Sequence, residues 1–385
     1  MSSIPAWGYL VILVAALAMS LVLVPVALAV ALRIEAFDHP GPAKSHEKAV
    51  PYLGGAAIVI AFAAVVLIGN AVDPPPSGYY QLVGFLGLGV MLSIVGLVDD
   101  LRVGGLSPVL RLAFEIAAAV AVCALGSNAH LAGVPTLAND AITVIWVVGI
   151  TNAFNLLDNM DGLSAGIATI ACLAIFGVAA LQQRYLVAAL ALAMAGCAAG
   201  FLRSNFHPAK IYMGDAGSLF LGFVIAVLLL KLRGPAPTRV PIAVIVAIPG
   251  VAVFDTTLVT VSRLAHHRSP FQGGKDHTSH RLLRLGFSVH QAVGTIYGAG
   301  LVLGGAALGM AEAGDRIRLV GVGGLAIVTA LAAWPLGRVR VRPTDDGSLV
   351  PDPEGQRQRL ILTSSHDTAD GPADPAAVHA SDHVG

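Results

Sequence analysis

The sequence predicts an all-α, polytopic integral membrane protein with about eleven transmembrane helices and an active site at the cytoplasmic face. Three observations carry that expectation. Apolar runs of about 20 residues, long enough to cross a ~30 Å hydrocarbon core, follow one another almost to the C-terminus. Hydrophobic residues make up 56% of the chain and charged residues only 12%, a balance that places it among membrane proteins. The polar clusters fall where one apolar run ends and the next begins, not inside the runs.

The runs lie at residues 7–32, 52–72, 80–98, 109–125, 139–156, 163–181, 184–202, 214–232, 240–262, 288–311 and 318–337. The first is longer than the apolar region of a signal peptide and lacks a basic flank or cleavage site, so it reads as a span. Only Gln182, Gln183 and Arg184 separate the sixth from the seventh, and a kinked or re-entrant arrangement is the alternative there. Residues 1–342 form one polytopic membrane domain on this reading. Residues 343–385, polar, acidic and rich in Pro, Ala and Ser, read as a disordered cytoplasmic tail. Cys123, Cys172 and Cys197 lie in or beside spans, and no pair has metal-ligand spacing.

Lys and Arg orient the chain. Taken alternately, one set of loops collects Arg33, Lys44, Lys48, Arg102, Arg111, Arg203, Lys210, Arg263, Arg268, Lys275, Arg281 and Arg284. The other holds Arg184, Lys231, Arg233, Arg239, Arg316 and Arg318. The positive-inside rule puts the first set in the cytoplasm, with the N-terminus outside, although the 231–239 loop runs against the rule. On this orientation every chemistry-bearing cluster faces the cytoplasm.

Asn152, Asn155, Asp158 and Asp161 recur every third residue in TNAFNLLDNMDGLSAG. Such steps wind slowly around a helix, so four oxygen-bearing side chains are expected to gather along one helix end. Carboxylates at a membrane edge are expensive unless paired, hydrated or metal-bound, which makes them functional candidates. Oxygen ligands suit Mg²⁺, with Mn²⁺ as the alternative, and Mg²⁺ usually completes its octahedron with water and phosphate. Helix capping before Gly162 accounts for one of the four, not for all.

Asp99 and Asp100 close another run, where carboxylates oppose the helix dipole and call for a compensating cation or proton. Asp215 lies between Gly214 and Gly217 at the mouth of a span, where backbone N–H groups can approach an anion. The last large loop holds His266, His267, His277 and His280 with Arg268, Lys275, Arg281 and Arg284. No zinc spacing such as HExxH appears, so phosphate binding is the stronger reading, against a basic loop drawn to anionic lipid. Asp255 lies deeper in the ninth span and reads as a hydrogen-bonding partner of a neighbouring helix.

With VDD at 98–100, NAFNLLDNMDGLSAG, YMGDAGSLFLGF and GGKDHTSHRLLRLGFS, preceded by KAVPYLGGA, the chain resembles the polyprenyl-phosphate N-acetylhexosamine-1-phosphate transferases. Four separated motifs agree in order across residues 35 to 290. The resemblance implies transfer of a sugar 1-phosphate from a UDP-sugar to polyprenyl phosphate, releasing UMP and starting a cell-envelope glycan. It implies a multi-pass protein of the inner (plasma) membrane, in contact with membrane lipids. A homodimer is compatible with it, and a nucleic-acid partner is not expected. DHTSHR at 276–281 departs from the histidine run of the muramoyl-pentapeptide branch and points to UDP-GlcNAc.

The same resemblance implies Asn155 and Asp215 as Mg²⁺ ligands, and Asp99 and Asp100 near the acceptor phosphate. Asp158 and Asp161 would shape the nucleotide and metal site as further catalytic residues. Asn152 would join the substrate site, Tyr212 would stack on uracil, Lys48 and Arg111 would hold the acceptor phosphate, and His277, His280 and Arg281 the diphosphate. A secondary transporter would place its carboxylates near the midplane on broken helices. A CDP-alcohol phosphotransferase would need a DGxxAR-type motif, which is absent from the sequence.

Overall fold

The computed structural model describes residues 4–38, 49–74, 78–102, 104–234, 240–269, 274–339, 342–343 and 349–350. The membrane unit is a bundle of α1 (Ala6–Arg33), α2 (Gly54–Val72), α3 (Tyr79–Leu101), α4 (Pro108–Ala124), α5 (Thr136–Leu157), α6 (Leu163–Leu181), α7 (Tyr185–Asn205), α8 (Gly214–Arg233), α9 (Ile242–Ala247), α10 (Gly250–Ala265), α11 (Thr278–Arg284), α12 (Val289–Glu312) and α13 (Asp315–Gly337). One short ribbon pairs β1 (Phe37–Asp38) with β2 (Val50–Pro51). Residues 341–385 form a second unit, and the tail expected there lies outside the described residues except for Arg342–Pro343 and Leu349–Val350, which pair antiparallel.

Among the described residues, nine of these helices are long and apolar enough to cross a membrane. The other two expected spans differ for physical reasons. α4 has 17 residues, one short turn from a full crossing, and starts sharply because Ser107 accepts a hydrogen bond from Leu110 N and Pro108 fits the first turn. The ninth span breaks at Pro249, which lacks an N–H and separates α9 from α10. Between α6 and α7 the chain turns at Gln183, with φ +54°, into two separate helices rather than a re-entrant one. The last large loop contains α11, a helix the sequence pattern did not announce.

α8 is the axis of the bundle: every residue from Ala216 to Leu230 is buried. Small residues let its neighbours come close, as helix packing in lipid requires. A Cβ on Gly55 of α2 would lie 2.2 Å from the backbone N of Gly217, and one on Gly96 of α3 would lie 2.4 Å from the Asp215 carbonyl. Backbone bonds Gly54 N to Tyr212 O and Gly55 N to Met213 O fix the entry to α8 against the start of α2. The α3, α5 and α7 C-termini therefore meet the α2, α4, α6 and α8 N-termini at one end of the bundle.

Since both Cβ positions collide with backbone, Gly55→Ala and Gly96→Ala should each cost about 1–3 kcal/mol. Gly149→Ala in α5, where a Cβ meets nothing within 4 Å, serves as the control. Thermal unfolding in detergent should show lower midpoints for the first two and an unchanged midpoint for the third.

Candidate active site

The site is built on the first turn of α8. Its unpaired N–H groups are satisfied from another helix: Asp100 Oδ1 accepts from Asp215 N at 3.0 Å and Oδ2 from Ala216 N at 3.2 Å. Gly214, with φ +65°, makes room for this, because a Cβ there would lie 2.3 Å from Asp100 Oδ2. Tyr52 donates its hydroxyl to the Asp100 carbonyl at 2.8 Å, tying down the end of α3. Asp100, opposed to its own helix dipole, is thus held by the positive end of α8.

Asp215 takes two partners. Arg111 Nη1 donates to Oδ2 at 2.6 Å and Asn155 Nδ2 to Oδ1 at 2.8 Å, while the same amide also reaches Ser218 Oγ at 2.9 Å. Arg111 serves three carboxylates at once, standing 3.5 Å from Asp99 and 3.6 Å from Glu115 as well. Asp99 additionally accepts from Leu106 N. One guanidinium among so many carboxylates leaves the region short of positive charge.

The Asn/Asp row does not converge as a single ribbon. α5 ends at Leu157, so the last two members leave the helix and each side chain finds a different task. Asn152 turns away from the cleft and donates to the buried carboxylate of Glu115 and to Val148 O. Asn155 meets Asp215. Asp158 lines the cleft, and burial, followed by Asp215, Asp100 and Asp161, pushes its carboxyl well above the usual range. Asp161 Oδ2 accepts from Ala209 N at 3.0 Å and pairs with His207 Nδ1 at 2.7 Å. The turn itself is pinned by Asn205, which accepts from Gly162 N, and by Tyr297, which donates to Gly162 O.

The last loop supplies one of its three candidates to the cleft. His280 lines it, and burial, then the neighbouring His277, pushes the imidazole down to about 4, so it is neutral at pH 7. His277 Nδ1 instead lies 2.7 Å from Asp255 Oδ2, and Thr278 N donates to Asp255 Oδ1 at 2.6 Å, which anchors α11 on α10. Arg281 is wholly buried outside the cleft. Its guanidinium donates to the carbonyls of Asp276 and Leu336 and to Ser262 Oγ, a scaffold role in place of the expected contact with a diphosphate. Lys48 lies outside the described residues.

These groups border a cleft of about 350 Å³ that Asp100, Asn155, Asp158, Asp161, Tyr212 and Asp215 line together. Burial, then Asp161, raises the Tyr212 phenol, which stays protonated. Among the described residues no three His, Cys, Asp or Glu side chains form a ready-made metal cage. The donor chemistry nevertheless fits a hard divalent cation that takes one or two protein oxygens and finishes its shell with phosphate and water. The mutual repulsion of Asp158, Asp215 and Asp100 is what such a cation would relieve.

Sequence reasoning missed Glu115, Tyr52 and Asn159. Asn159 donates to Leu156 O and accepts from Ser279 Oγ, linking the α5–α6 turn to α11. Glu115 carried a visible signal: a lone carboxylate in the apolar run of α4, four residues after Arg111. Removing it while keeping bulk, Glu115→Leu, leaves the Asn152 amide with Val148 O as its remaining acceptor and should cost about 1–3 kcal/mol, whereas Glu115→Gln keeps the second acceptor and should cost less. Equal unfolding midpoints for the two variants would contradict this assignment.

Known proteins are similar to this chain in sequence. Residues 82–233, which carry Asp99, Asp100, Arg111, the Asn/Asp row and Asp215, match the family described as glycosyl transferase family 4. The chain is 34% identical over 293 residues to a probable undecaprenyl-phosphate N-acetylglucosaminyl 1-phosphate transferase of Bacillus subtilis, covering 73% of this chain and 79% of that protein. It is 31% identical over 355 residues to the decaprenyl-phosphate N-acetylglucosaminephosphotransferase of Mycolicibacterium smegmatis, covering 83% and 86%. A phospho-N-acetylmuramoyl-pentapeptide-transferase of Bacillus licheniformis is 32% identical over 286 residues, covering 68% and 84%. With most of its length shared at these identities, and Asp100, Asn155, Asp158, Asp161 and Asp215 of the cleft inside the family match, this multi-pass membrane protein belongs to glycosyl transferase family 4.

Proposed function

We propose that this transferase moves N-acetylglucosamine 1-phosphate from UDP-N-acetylglucosamine to a polyprenyl phosphate. UMP leaves and a polyprenyl-diphosphate sugar remains. The observation that carries the reading is the carboxylate cleft at the α8 N-terminus, bordered by Asp100, Asp158 and Asp215 with Arg111 beside it. The names of the Bacillus subtilis and Mycolicibacterium smegmatis relatives support the acceptor and the sugar. The basic loops on the side of the cleft support a cytoplasmic site in the plasma membrane.

The reaction joins anions, so charge is its main barrier. A lipid phosphate with a second pKa near ~6 is largely dianionic at neutral pH and needs no strong base to attack. Its oxygen bonds to the β-phosphorus of the donor while the bond from that phosphorus to the UMP oxygen breaks. Arg111 offsets the repulsion between the two phosphates. Asp100 keeps the first turn of α8 open and fixed, Tyr212 offers a face to uracil, and neutral His280 donates a hydrogen bond to the diphosphate. Asp99 accepts a residual proton from the acceptor. Asn155, Asp158 and Asp215 are the residues that would hold Mg²⁺ or Mn²⁺, which when bound supplies Lewis-acid polarisation of the diphosphate.

Purified protein with polyprenyl phosphate and Mg²⁺, offered UDP-GlcNAc, UDP-GalNAc and UDP-MurNAc-pentapeptide separately, should yield a lipid product from the first. Product from the pentapeptide donor alone would move the chain to the muramoyl branch, and product from none would refute the assignment. Chelation should abolish turnover and Mg²⁺ restore it. Asp215→Asn should lower turnover roughly 100-fold with little change in unfolding midpoint; near-normal turnover would remove Asp215 from the site.

A further inference from the structure

The loop that runs against the charge rule begins at the opposite end of α8. Lys231 lies 16 residues after Asp215, so about 24 Å of helix separates its backbone from the cleft. Its sequence neighbour Arg233 is accounted for inside the fold, donating to the carbonyls of Ala129 and Val240. Lys231 is placed differently. Its ammonium donates to Gln81 Oε1 at 2.8 Å and stands 5.1 Å from the centre of the Phe85 ring. No carboxylate comes within ion-pair distance of it among the described residues.

Lys231, Gln81 and Phe85 stand together on the wall of a cavity of about 200 Å³ between α2, α3, α7 and α8. The rest of that wall is hydrocarbon, including Phe62, Leu82, Leu190 and Val227. The shape is that of an amphiphile: an apolar slot with one cation at its polar end. A neutral amide and a ring face solvate an ammonium only partly, and a charged partner in an apolar setting supplies the missing stabilisation.

We propose that this cavity binds an anionic phospholipid, with one acyl chain in the slot and the headgroup phosphate on the Lys231 ammonium. Charge complementarity selects that occupant: a zwitterionic lipid offers its phosphate with a competing cation attached, whereas phosphatidylglycerol offers the phosphate alone. The position also gives a lysine a task on the side of the protein that otherwise carries few. The site is separate from the cleft and does not depend on which sugar or lipid the cleft takes.

The test is lipid retention by the purified full-length protein in neutral detergent, read by native mass spectrometry. Phosphatidylglycerol and phosphatidylcholine of identical chains are offered in equal amounts, with polyprenyl phosphate as a third arm. Wild type should retain phosphatidylglycerol preferentially. Lys231→Gln should reduce that preference roughly fivefold, the factor for about one membrane-facing cation, while Lys231→Arg keeps it. Leu186→Trp, which fills the slot from α7, should reduce retention of both phospholipids. Undiminished preference in Lys231→Gln, or unchanged retention in Leu186→Trp, would overturn the proposal. So would displacement of phosphatidylglycerol by polyprenyl phosphate that is lost in Leu186→Trp, since the slot would then belong to the prenyl lipid.

Discussion

The carboxylate of Asp100 on the first turn of α8 is the contact from which the rest of the site takes its geometry. Helix starts need acceptors for their free N–H groups, and here the acceptor comes from the far end of α3, not from the residue before the helix. The contact joins two helix ends that electrostatics would otherwise leave unsatisfied, a carboxylate at a C-terminus and bare donors at an N-terminus. It also sets the depth of Asp215, one residue into α8, where Arg111 and Asn155 can reach it. Gly96 and Gly214 are the steric conditions of that contact, because side chains at either would push α3 and α8 apart.

The resulting charge distribution is what the proposed chemistry draws on. Asp99, Glu115 and Asp215 share Arg111, while Asp158 faces Asp100, Asp161 and Asp215 across the cleft and is driven toward its neutral form. A cation entering such a pocket would relieve the repulsion of its carboxylates, which is the part the proposed reaction gives to Mg²⁺. Folding supplies the rigidity for this: α8 is buried along nearly its whole length, and the α5–α6 turn is pinned by Asn205, Tyr297 and the Asn159–Ser279 bond. His280 enters the cleft on α11, which Asp255, Arg263 and Arg281 anchor from behind.

Much of this was legible in the residues. Membrane spans are written in hydropathy because lipid leaves the backbone no alternative to helix, but hydropathy ran 240–262 together as one span that in fact breaks at Pro249. Asp99, Asp100, Asp158 and Asp215 could be found because carboxylates at membrane edges are costly, and Asn155 by its place in the three-residue row. What the row of three-residue steps could not reveal is where α5 stops: a helical spiral was expected through Asp161, but the turn begins after Leu157 and sends Asp161 to His207. Arg281 shows the other limit. Its charge suggested phosphate, whereas three buried carbonyl and hydroxyl acceptors, set by tertiary packing, claim it.

Direct phosphoryl transfer within this cleft is tested most closely by incubating the protein with UDP-GlcNAc labelled in the β-phosphate, with and without polyprenyl phosphate. Transfer from donor to lipid in one step requires UMP release only when the acceptor is present, with all of the label in the lipid product and none on the protein. Label on the protein, or a burst of UMP in the absence of acceptor, would contradict it and place a covalent intermediate on one of the carboxylates.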